Sequence, residues 1–265
     1  MADRYAVIGN PVAHSRSPWI HAQFALASGQ DIEYGRIAAP IGGFAAAVDA
    51  FRRGGGKGLN VTLPFKQEAY AYCASASEAA RTAGAVNTLV LQAQAHGENT
   101  DGTGLVRDIG RNLDYDLKGR RLLLMGAGGA AQGVVGALLA AGVSGIVIAN
   151  RTPEKARALA ARFPGARASE YGALAGEAFD VAINATSAGL EQASPALPSG
   201  LLREGMLAYD MVYGRETPFL AAARAAGARA CDGLGMLVEQ AAESFFLWRG
   251  IRPQTRPVLE RLRAP

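Results

Sequence analysis

The residues able to do chemistry fall in a few short runs. The first, Gly126-Ala127-Gly128-Gly129-Ala130-Ala131, follows an apolar run (residues 121–125) and opens a helical one (130–141). Between a strand and a helix, glycines at this spacing let the backbone turn tightly and approach a pyrophosphate. Ala131 lets the helix pack close to the strand, and the free N–H groups at the helix start face the phosphates. A second strand (145–149) ends at Asn150-Arg151-Thr152-Pro153, with Lys155 following. An NAD site carries Asp or Glu about twenty residues beyond the glycines, to hold the ribose hydroxyls. Here that acid is missing. Thr152 reads as a helix N-cap and Pro153 as the first helical residue, which puts Lys155 in the first turn. A cation there opposes the helix dipole by about 0.3–1 kcal/mol, and a bound 2′-phosphate would reverse the sign. NADP is therefore the cofactor expected, a solvated Arg and Lys being the alternative.

Near the N-terminus, Asn10-Pro11-Val12-Ala13-His14-Ser15-Arg16-Ser17-Pro18 is a loop entering a helix, with Ser17-Pro18 as N-cap and first helical residue. Two hydroxyls and a cation at a helix start make a small carboxylate site. Capping accounts for Ser17 in part, but not for Ser15. Thr62-Leu63-Pro64-Phe65-Lys66 follows a strand (58–61), and Pro64 marks another helix start. Lys66 then lies in a first turn, where the dipole suits a group that gives and takes a proton; a solvated Lys is the plainer alternative. Asn87 falls inside a strand (84–90), a poor place for Asn, so it is read as facing a polar cleft or a ligand. Asp101-Gly102 alone is a turn. Gln240 sits among apolar neighbours, where its amide needs a partner, a backbone group being one candidate. Asn184-Ala185-Thr186-Ser187-Ala188-Gly189 closes an apolar strand, and ligands bind at the carboxyl ends of strands in an open parallel sheet.

What positions these residues is an alternation of strands and helices. Residues 4–9, 32–37, 58–61 and 84–90 read as strands, and 18–28, 42–53 and 103–112 as helices, with a turn at 92–97. From 120 to 231 the alternation is regular. Strands at 121–125, 145–149, near 168, 179–184, 206–213 and 228–231 enclose helices at 130–141, 154–163 and 217–226, the signature of a doubly wound parallel sheet. Helices over 237–249 and 255–263 close the chain. A boundary after Asp101 divides one α/β domain (1–101 with 238–265) from a dinucleotide-binding domain (102–237).

The 265 residues suffice for one large domain or two modest ones with adequate cores. Apolar residues make up 49% and charged residues 19%, an ordinary globular balance. The net charge of +4 is modest and not interleaved with aromatics, which argues against nucleic acid as a partner and suits anionic small molecules. Cys73 and Cys231 form no ligand-spaced pair, and His14, His21 and His96 lack metal-ligand spacing, so neither a disulfide nor a metal is expected. No apolar run approaches the roughly 18 residues of a membrane span, and the N-terminus does not read as a signal peptide. A cytoplasmic protein with no membrane partner is expected.

Several of these runs, taken in order, resemble the shikimate dehydrogenase family over nearly the whole chain. They are Gly9-Asn10-Pro11 with His14-Ser15-x-Ser17-Pro18, Asn60-Val61-Thr62-x-Pro64-x-Lys66 and Gly84-Ala85-Val86-Asn87-Thr88. Asn99-Thr100-Asp101-Gly102, the glycine run, Asn150-Arg151-Thr152, Asn184-Ala185-Thr186-Ser187-x-Gly189 and Gly233-x-Gly235-Met236-Leu237-Val238-x-Gln240 continue the match. The resemblance implies reversible reduction of 3-dehydroshikimate to shikimate by NADPH, a step of aromatic amino-acid biosynthesis. It implies an N-terminal α/β substrate domain and a Rossmann-type NADP domain, with the C-terminal helices packing back on the first domain.

By the same resemblance, Ser15 and Ser17 hold the substrate carboxylate. Asn60, Thr62, Asn87, Asp101 and Gln240 bind its ring hydroxyls, Tyr213 joins the substrate site, and Lys66 and Asp101 form the catalytic pair. Gly126, Ala127, Gly128, Gly129 and Ala130 take the pyrophosphate. Arg151 and Lys155 take the 2′-phosphate, with Asn150 and Thr152 beside them, while Thr186, Ser187, Met211 and Gly235 border the rest of the cofactor. One position departs from the family's Asn-Arg-Thr-x-x-Arg run: Lys155 replaces the last Arg and lacks its bidentate fork. A quinate/shikimate dehydrogenase preferring NAD would carry Asp near Asn150, a folate-linked dehydrogenase would not need the paired serines, and a non-catalytic NADP-binding sensor would lose Lys66 or Asp101. The chain is expected to work as a monomer or homodimer.

Overall fold

A computed structural model describes residues 2–186 and 197–264, which form two compact units, Met1–Gly104 with Leu237–Pro265 and Leu105–Met236. The first unit opens with β1 (Asp3–Gly9), α1 (Ser17–Ser28), β2 (Ile32–Ala38), α2 (Phe44–Arg53) and β3 (Gly56–Val61). It continues with α3 (Lys66–Tyr72), β4 (Ser75–Ala76), α4 (Glu78–Ala83), β5 (Thr88–Leu91), β6 (Ala95–Glu98) and α5 (Asp101–Arg107). The strands make one mixed sheet in the order β2-β1-β3-β5-β6-β4, with β5 antiparallel to both its neighbours. Central β1 is buried without a break from Tyr5 to Gly9, as a strand covered on both faces must be, whereas edge strand β2 has no fully buried residue. One face packs Ile8, Leu59 and Leu89 with Phe44 and Phe65.

The second unit runs through β7 (Arg121–Met125), α6 (Gly129–Ala140), β8 (Gly145–Ala149), α7 (Pro153–Ala160) and β9 (Ala166–Ser169). Then come β10 (Val181–Asn184), β11 (Leu207–Asp210), α8 (Pro218–Ala225) and β12 (Arg229–Asp232). All its strands are parallel, in the order β12-β11-β10-β7-β8-β9. Side chains alternate across the sheet: Leu122 and Leu124 pack with Val134 and Leu138, while Leu123 and Met125 pack with Phe179 and Leu220. Strand order reverses between β7 and β10. Their carboxyl ends therefore flank the crevice where this topology receives ligands.

The chain closes with α9 (Leu234–Arg249) and α10 (Arg256–Arg263). Most of α9 belongs to the first unit, where it completes the second face of the mixed sheet. Trp248 stacks on Tyr5 at 4.7 Å and Phe245 meets Phe24 at 5.8 Å between ring centres. Both divisions of the chain fall inside helices, α5 and α9, and not in loops.

The structure departs from the sequence reading at several element ends. β5 starts at Thr88, so Asn87 precedes the strand; Gly84, with φ +60°, ends α4 instead of beginning a strand. β11 stops at Asp210, short of residue 213, because the Asp210 carboxylate turns the chain by accepting the Val212 N–H at 3.0 Å. The helix expected over 103–112 is α5 followed by a π-helical turn, Asp108–Asn112. No counterpart of β4, α4 or β6 is read from the sequence; these elements are too short to show a period. No helix among the described residues is long and apolar enough to cross a membrane, and no described cluster of His, Cys, Asp or Glu could hold a metal.

His21 of α1 is fully buried, stacked on Tyr34 with ring centres 4.2 Å apart. Neither ring nitrogen has a hydrogen bond of good geometry. Burial pushes its pKa from 6.5 down to about 3, nearby Asn60 offsetting this only in part. The folded value lies below the unfolded one, so between them the unfolded chain binds the extra proton. Stability contributed by the neutral ring is complete above the unfolded value and falls as pH drops through this window, at up to about 1.4 kcal/mol per pH unit. Urea midpoints between pH 6.5 and 3 are expected to fall more steeply in the wild type than in His21→Phe. Equal slopes would mean that the folded protein protonates this ring freely.

Candidate active site

Lys66 opens α3 and Asp101 opens α5. Lys66 Nζ is ion-paired with Asp101 Oδ2, and both side chains are largely enclosed, at 14% and 7% exposure. The Lys66 carbonyl accepts the Val86 N–H at 2.9 Å, which seats the lysine beside Asn87. Asn87 Nδ2 donates to Asp101 Oδ1 at 2.8 Å and to Thr100 Oγ1 at 2.9 Å, while its Oδ1 accepts the Thr100 N–H at 2.8 Å. Its backbone is fixed on both sides, through Val61 N–H at 2.7 Å and Glu98 C=O at 3.0 Å. One Asp101 oxygen is thus held by an amide and the other faces the lysine. That arrangement holds the Lys66 amine at a defined point, a geometry suited to proton transfer.

Around this pair lie the other residues singled out in the first unit. Gln240 on α9 donates from Nε2 to the Leu237 carbonyl at 2.9 Å, and its Oε1 accepts from Asn87 Nδ2 and Thr100 Oγ1, each at 3.4 Å. It meets both a backbone group and the polar cluster. A Cβ on residue 104 would lie 2.8 Å from the Gln240 nitrogen, so only glycine lets α5 come this close to α9. Asn60 on β3 accepts the Tyr34 hydroxyl at Oδ1 (2.7 Å) and donates from Nδ2 to Ser244 Oγ (2.9 Å) and Thr88 Oγ1 (3.2 Å). Thr62 follows β3, its N–H bonded to the Ile8 carbonyl at 2.9 Å.

The Ser15 and Ser17 hydroxyls lie 3.2 Å apart. Ser17 is not a cap: it is the first residue of α1, the cap position is Arg16 in helical conformation, and no side chain caps this helix. Instead Ser15 Oγ accepts the Ser17 N–H at 3.3 Å, because the loop enters already helical and leaves the Ser17 side chain turned elsewhere.

In the second unit, Gly126 ends β7 with φ +109°, and a Cβ there would stand 3.0 Å from the Ala185 carbonyl oxygen at the end of β10. Gly128 caps α6 in extended conformation with no side-chain bond, leaving the first-turn N–H groups of Gly129 and Ala130, beyond Ala127, open to an anion. Asn150 follows β8 and donates to the Thr152 carbonyl at 2.9 Å. Thr152 holds the N-cap position of α7 before Pro153, yet its hydroxyl makes no cap bond. Arg151 and Lys155 are exposed and have no acidic partner among the described residues, whereas Arg157 pairs with Glu154 at 3.0 Å and Glu170 at 3.6 Å. A turn with no room for a side chain, an uncapped helix start, two unengaged cations and no acid at residue 150 fit NADP.

Thr186 donates its N–H and hydroxyl to Asn184 Oδ1 at 3.1 and 2.7 Å. Asn184 in turn donates to Asp210 Oδ2 at 3.2 Å, which also accepts the Thr217 hydroxyl at 2.6 Å. Asp210 is fully buried, and desolvation raises its pKa against these donors. Met211 and Tyr213 lie just past the end of β11. Gly235, in the first turn of α9, sits against the Asp108 carboxylate, which accepts the Tyr209 hydroxyl at 2.6 Å. Ser187 lies outside the described residues.

Sequence reading assigns no individual role to Thr100 or Asn184, which stand only within quoted runs, and does not single out Ser244, Tyr34, Asp210 or Thr217. Ser244 carried a signal, standing four residues from Gln240 and so on the same helix face. Asp210 carried another, as an acid inside an apolar strand, which must find donors when buried. Tyr34 carried none.

The two units and their polar clusters are those of a dinucleotide-dependent dehydrogenase. Three family models match the sequence: the shikimate dehydrogenase substrate binding domain over residues 7–89, shikimate/quinate 5-dehydrogenase over 108–194, and the shikimate 5′-dehydrogenase C-terminal domain over 233–263. The sequence is 56% identical to the NADP+ shikimate dehydrogenase of Methylobacillus flagellatus, over 99% of each chain. Among solved structures, it is similar to an Ael1 enzyme from Pseudomonas putida (TM-score 0.94, 49% identity, covering 100% and 99% of the two chains). It is also similar to the shikimate 5-dehydrogenase of Thermus thermophilus in complex with NADP(H) and shikimate (TM-score 0.89, 39% identity, 98% of each chain). The chain belongs to the shikimate dehydrogenase family.

Gly104→Ala tests the α5–α9 approach that carries Gln240. Alanine gains up to about 1 kcal/mol of helix propensity, but forcing the helices apart costs about 1–3 kcal/mol. A lower urea midpoint is expected; a higher one would show that α5 shifts freely.

Proposed function

We propose that the chain catalyses the reversible NADPH-dependent reduction of 3-dehydroshikimate to shikimate, a step of aromatic amino-acid biosynthesis. The observation that carries this reading is the enclosed Lys66–Asp101 pair on its bed of Asn87, Thr100 and Gln240. NADPH, when bound, supplies the hydride. As the carbonyl carbon is reduced, its oxygen needs a proton from a group within about 3 Å. Lys66 Nζ is that donor in reduction and the acceptor in the reverse direction. Asp101 holds the ammonium and takes a hydrogen bond from the adjoining substrate hydroxyl.

Residues 1–101 with 238–265 serve as the substrate domain in this reading, and 102–237 as the NADP domain. Ser15 and Ser17 bind the substrate carboxylate with neutral donors. Thr62, Asn87 and Gln240 bind ring hydroxyls, Tyr213 joins them, and Asn60 contributes the Oδ1 lone pair that Tyr34 leaves open. Gly126 to Ala130 offer backbone N–H groups to the pyrophosphate. Arg151 and Lys155 bind the 2′-phosphate beside Asn150 and Thr152, while Thr186, Met211 and Gly235 border the remainder.

Nicotinamide absorbance on mixing the protein with shikimate and NADP+ or NAD+, and again with quinate, tests the reaction directly. Rapid reduction of NADP+ with shikimate is expected. Preference for NAD+, or equal use of quinate, would replace this reading with that of a broader quinate/shikimate enzyme. Lys66→Ala is expected to lower turnover by about 10²–10⁴ while shikimate still binds in calorimetry. Near-normal turnover would remove Lys66 from the chemistry. Arg151→Ala is expected to weaken NADP+ binding about tenfold or more, the loss of one charge-assisted contact, and to leave NAD+ binding unchanged. Equal losses for both nucleotides would refute the 2′-phosphate contact.

A further inference from the structure

We propose that Tyr34, on edge strand β2, is a positioning residue whose hydroxyl couples the Ser15–Ser17 pair to Asn60, and so sets the carboxylate-binding end of the site relative to the hydroxyl-binding end. This role rests on the substrate reading given above.

Ser15 Oγ donates to Ser17 Oγ at 3.2 Å, the Ser17 hydroxyl acts on the Tyr34 phenol, and Tyr34 donates to Asn60 Oδ1 at 2.7 Å. Asn60 passes the order on, donating from Nδ2 to Ser244 Oγ at 2.9 Å and Thr88 Oγ1 at 3.2 Å. Because Nδ2 is committed to the interior and Oδ1 receives Tyr34, the Asn60 amide has one orientation and one lone pair left, so it meets substrate as an acceptor. Ser15 and Ser17 hydroxyls that turn to a bound carboxylate leave Tyr34 with its bond to Asn60. The Asn60 amide therefore keeps its orientation when the carboxylate end is filled.

A stacking role accounts for the ring but not for its hydroxyl. The ring lies parallel to buried His21, with planes 7° apart, and phenylalanine would stack equally well. The hydroxyl's hydrogen-bond partner, Asn60, and the serine that acts on the phenol, Ser17, are both residues assigned to substrate in that reading. The same strand also holds the serine loop by its backbone: Arg36, two residues on, donates to the Ser15 carbonyl at 2.6 Å. Burial keeps the phenol protonated, since desolvation raises its pKa well above the usual value, so the donor to Asn60 is present at any working pH.

Steady-state kinetics of the wild type, Tyr34→Phe, Ser17→Ala and the double variant test the coupling. Wild-type turnover with shikimate is measured first; its absence overturns the substrate reading and this role with it. Given turnover, Tyr34→Phe is expected to raise the KM for shikimate about 3- to 15-fold, the scale of one or two hydrogen bonds. Its kcat should stay within about threefold and the NADP+ dissociation constant should not move. The double variant is expected to lose less than the product of the two single losses, because both remove the same link. An unchanged KM in Tyr34→Phe, fully multiplicative losses, or an effect confined to melting temperature would overturn the role while leaving the reaction assigned.

Discussion

The first unit's site depends on the orientation of one amide. Asn87 can be inserted only one way round: Oδ1 must face the Thr100 N–H and Nδ2 must face the Asp101 carboxylate. Reversed, it would set N–H against N–H and oxygen against a carboxylate oxygen, leaving buried groups unpaired at about 1–3 kcal/mol each. With Asn87 fixed, Asp101 Oδ1 is occupied and Oδ2 is the oxygen left for Lys66. The charge pair is therefore directional before any ligand arrives. In the proposed reaction this is the preorganisation that proton transfer to a developing alkoxide would need.

Holding such a cluster at low exposure requires a wall, and the chain supplies it from its far end. α9 turns Ala241, Ala242 and Phe245 into the apolar interior while Gln240 and Ser244, one turn apart, look into the polar group. The helix is pinned at its carboxyl end by Trp248 donating to the Leu89 carbonyl at 3.0 Å and by Arg249 bound to Asp3 and to Gln30 at 2.8 Å. These bonds fix the helix axially. An unpinned helix could slide and bring an alanine where Gln240 now stands.

Chemistry that resides in a local pattern was readable from the residues; chemistry that resides in long-range pairing was not. The glycine run after an apolar strand announces its turn because φ +109° and the approach to Ala185 are demands on one residue, Gly126. The missing acid at Asn150 is likewise a local fact. Lys66 is suspect by type and position, whereas Asp101 alone reads as a turn and gains its role only from the resemblance, and nothing within either run says that the two meet. Asn87 finds Gln240 across 153 positions and Asn60 finds Ser244 across 184, distances over which composition and period carry no register. The boundaries erred for the same reason. Gly84 reads as the start of a strand until its left-handed conformation closes α4, and 206–213 reads as one strand until Asp210 turns it.

The start of α7 shows how the second unit prepares for an anion without any residue devoted to it alone. The helix dipole favours acids in its first turn, and Glu154 stands there, its pKa lowered by its own backbone N–H and by Arg157. Arg157, in the last turn, is shared with Glu170, so Glu154 and this cation largely satisfy one another. Arg151 before the helix and Lys155 within it remain outside that exchange. The Thr152 hydroxyl, which in most helices would be consumed by capping, is uncommitted as well. Among the described residues this leaves a positive edge at the end of β8 with no acid paired to it, mildly unfavourable against the dipole. In the proposed reading a phosphate monoester would meet the N–H groups, the hydroxyl and both cations together, whereas a bare ribose would meet none of the charge. Discrimination between the two nucleotides rests, in that reading, on this imbalance at the start of α7.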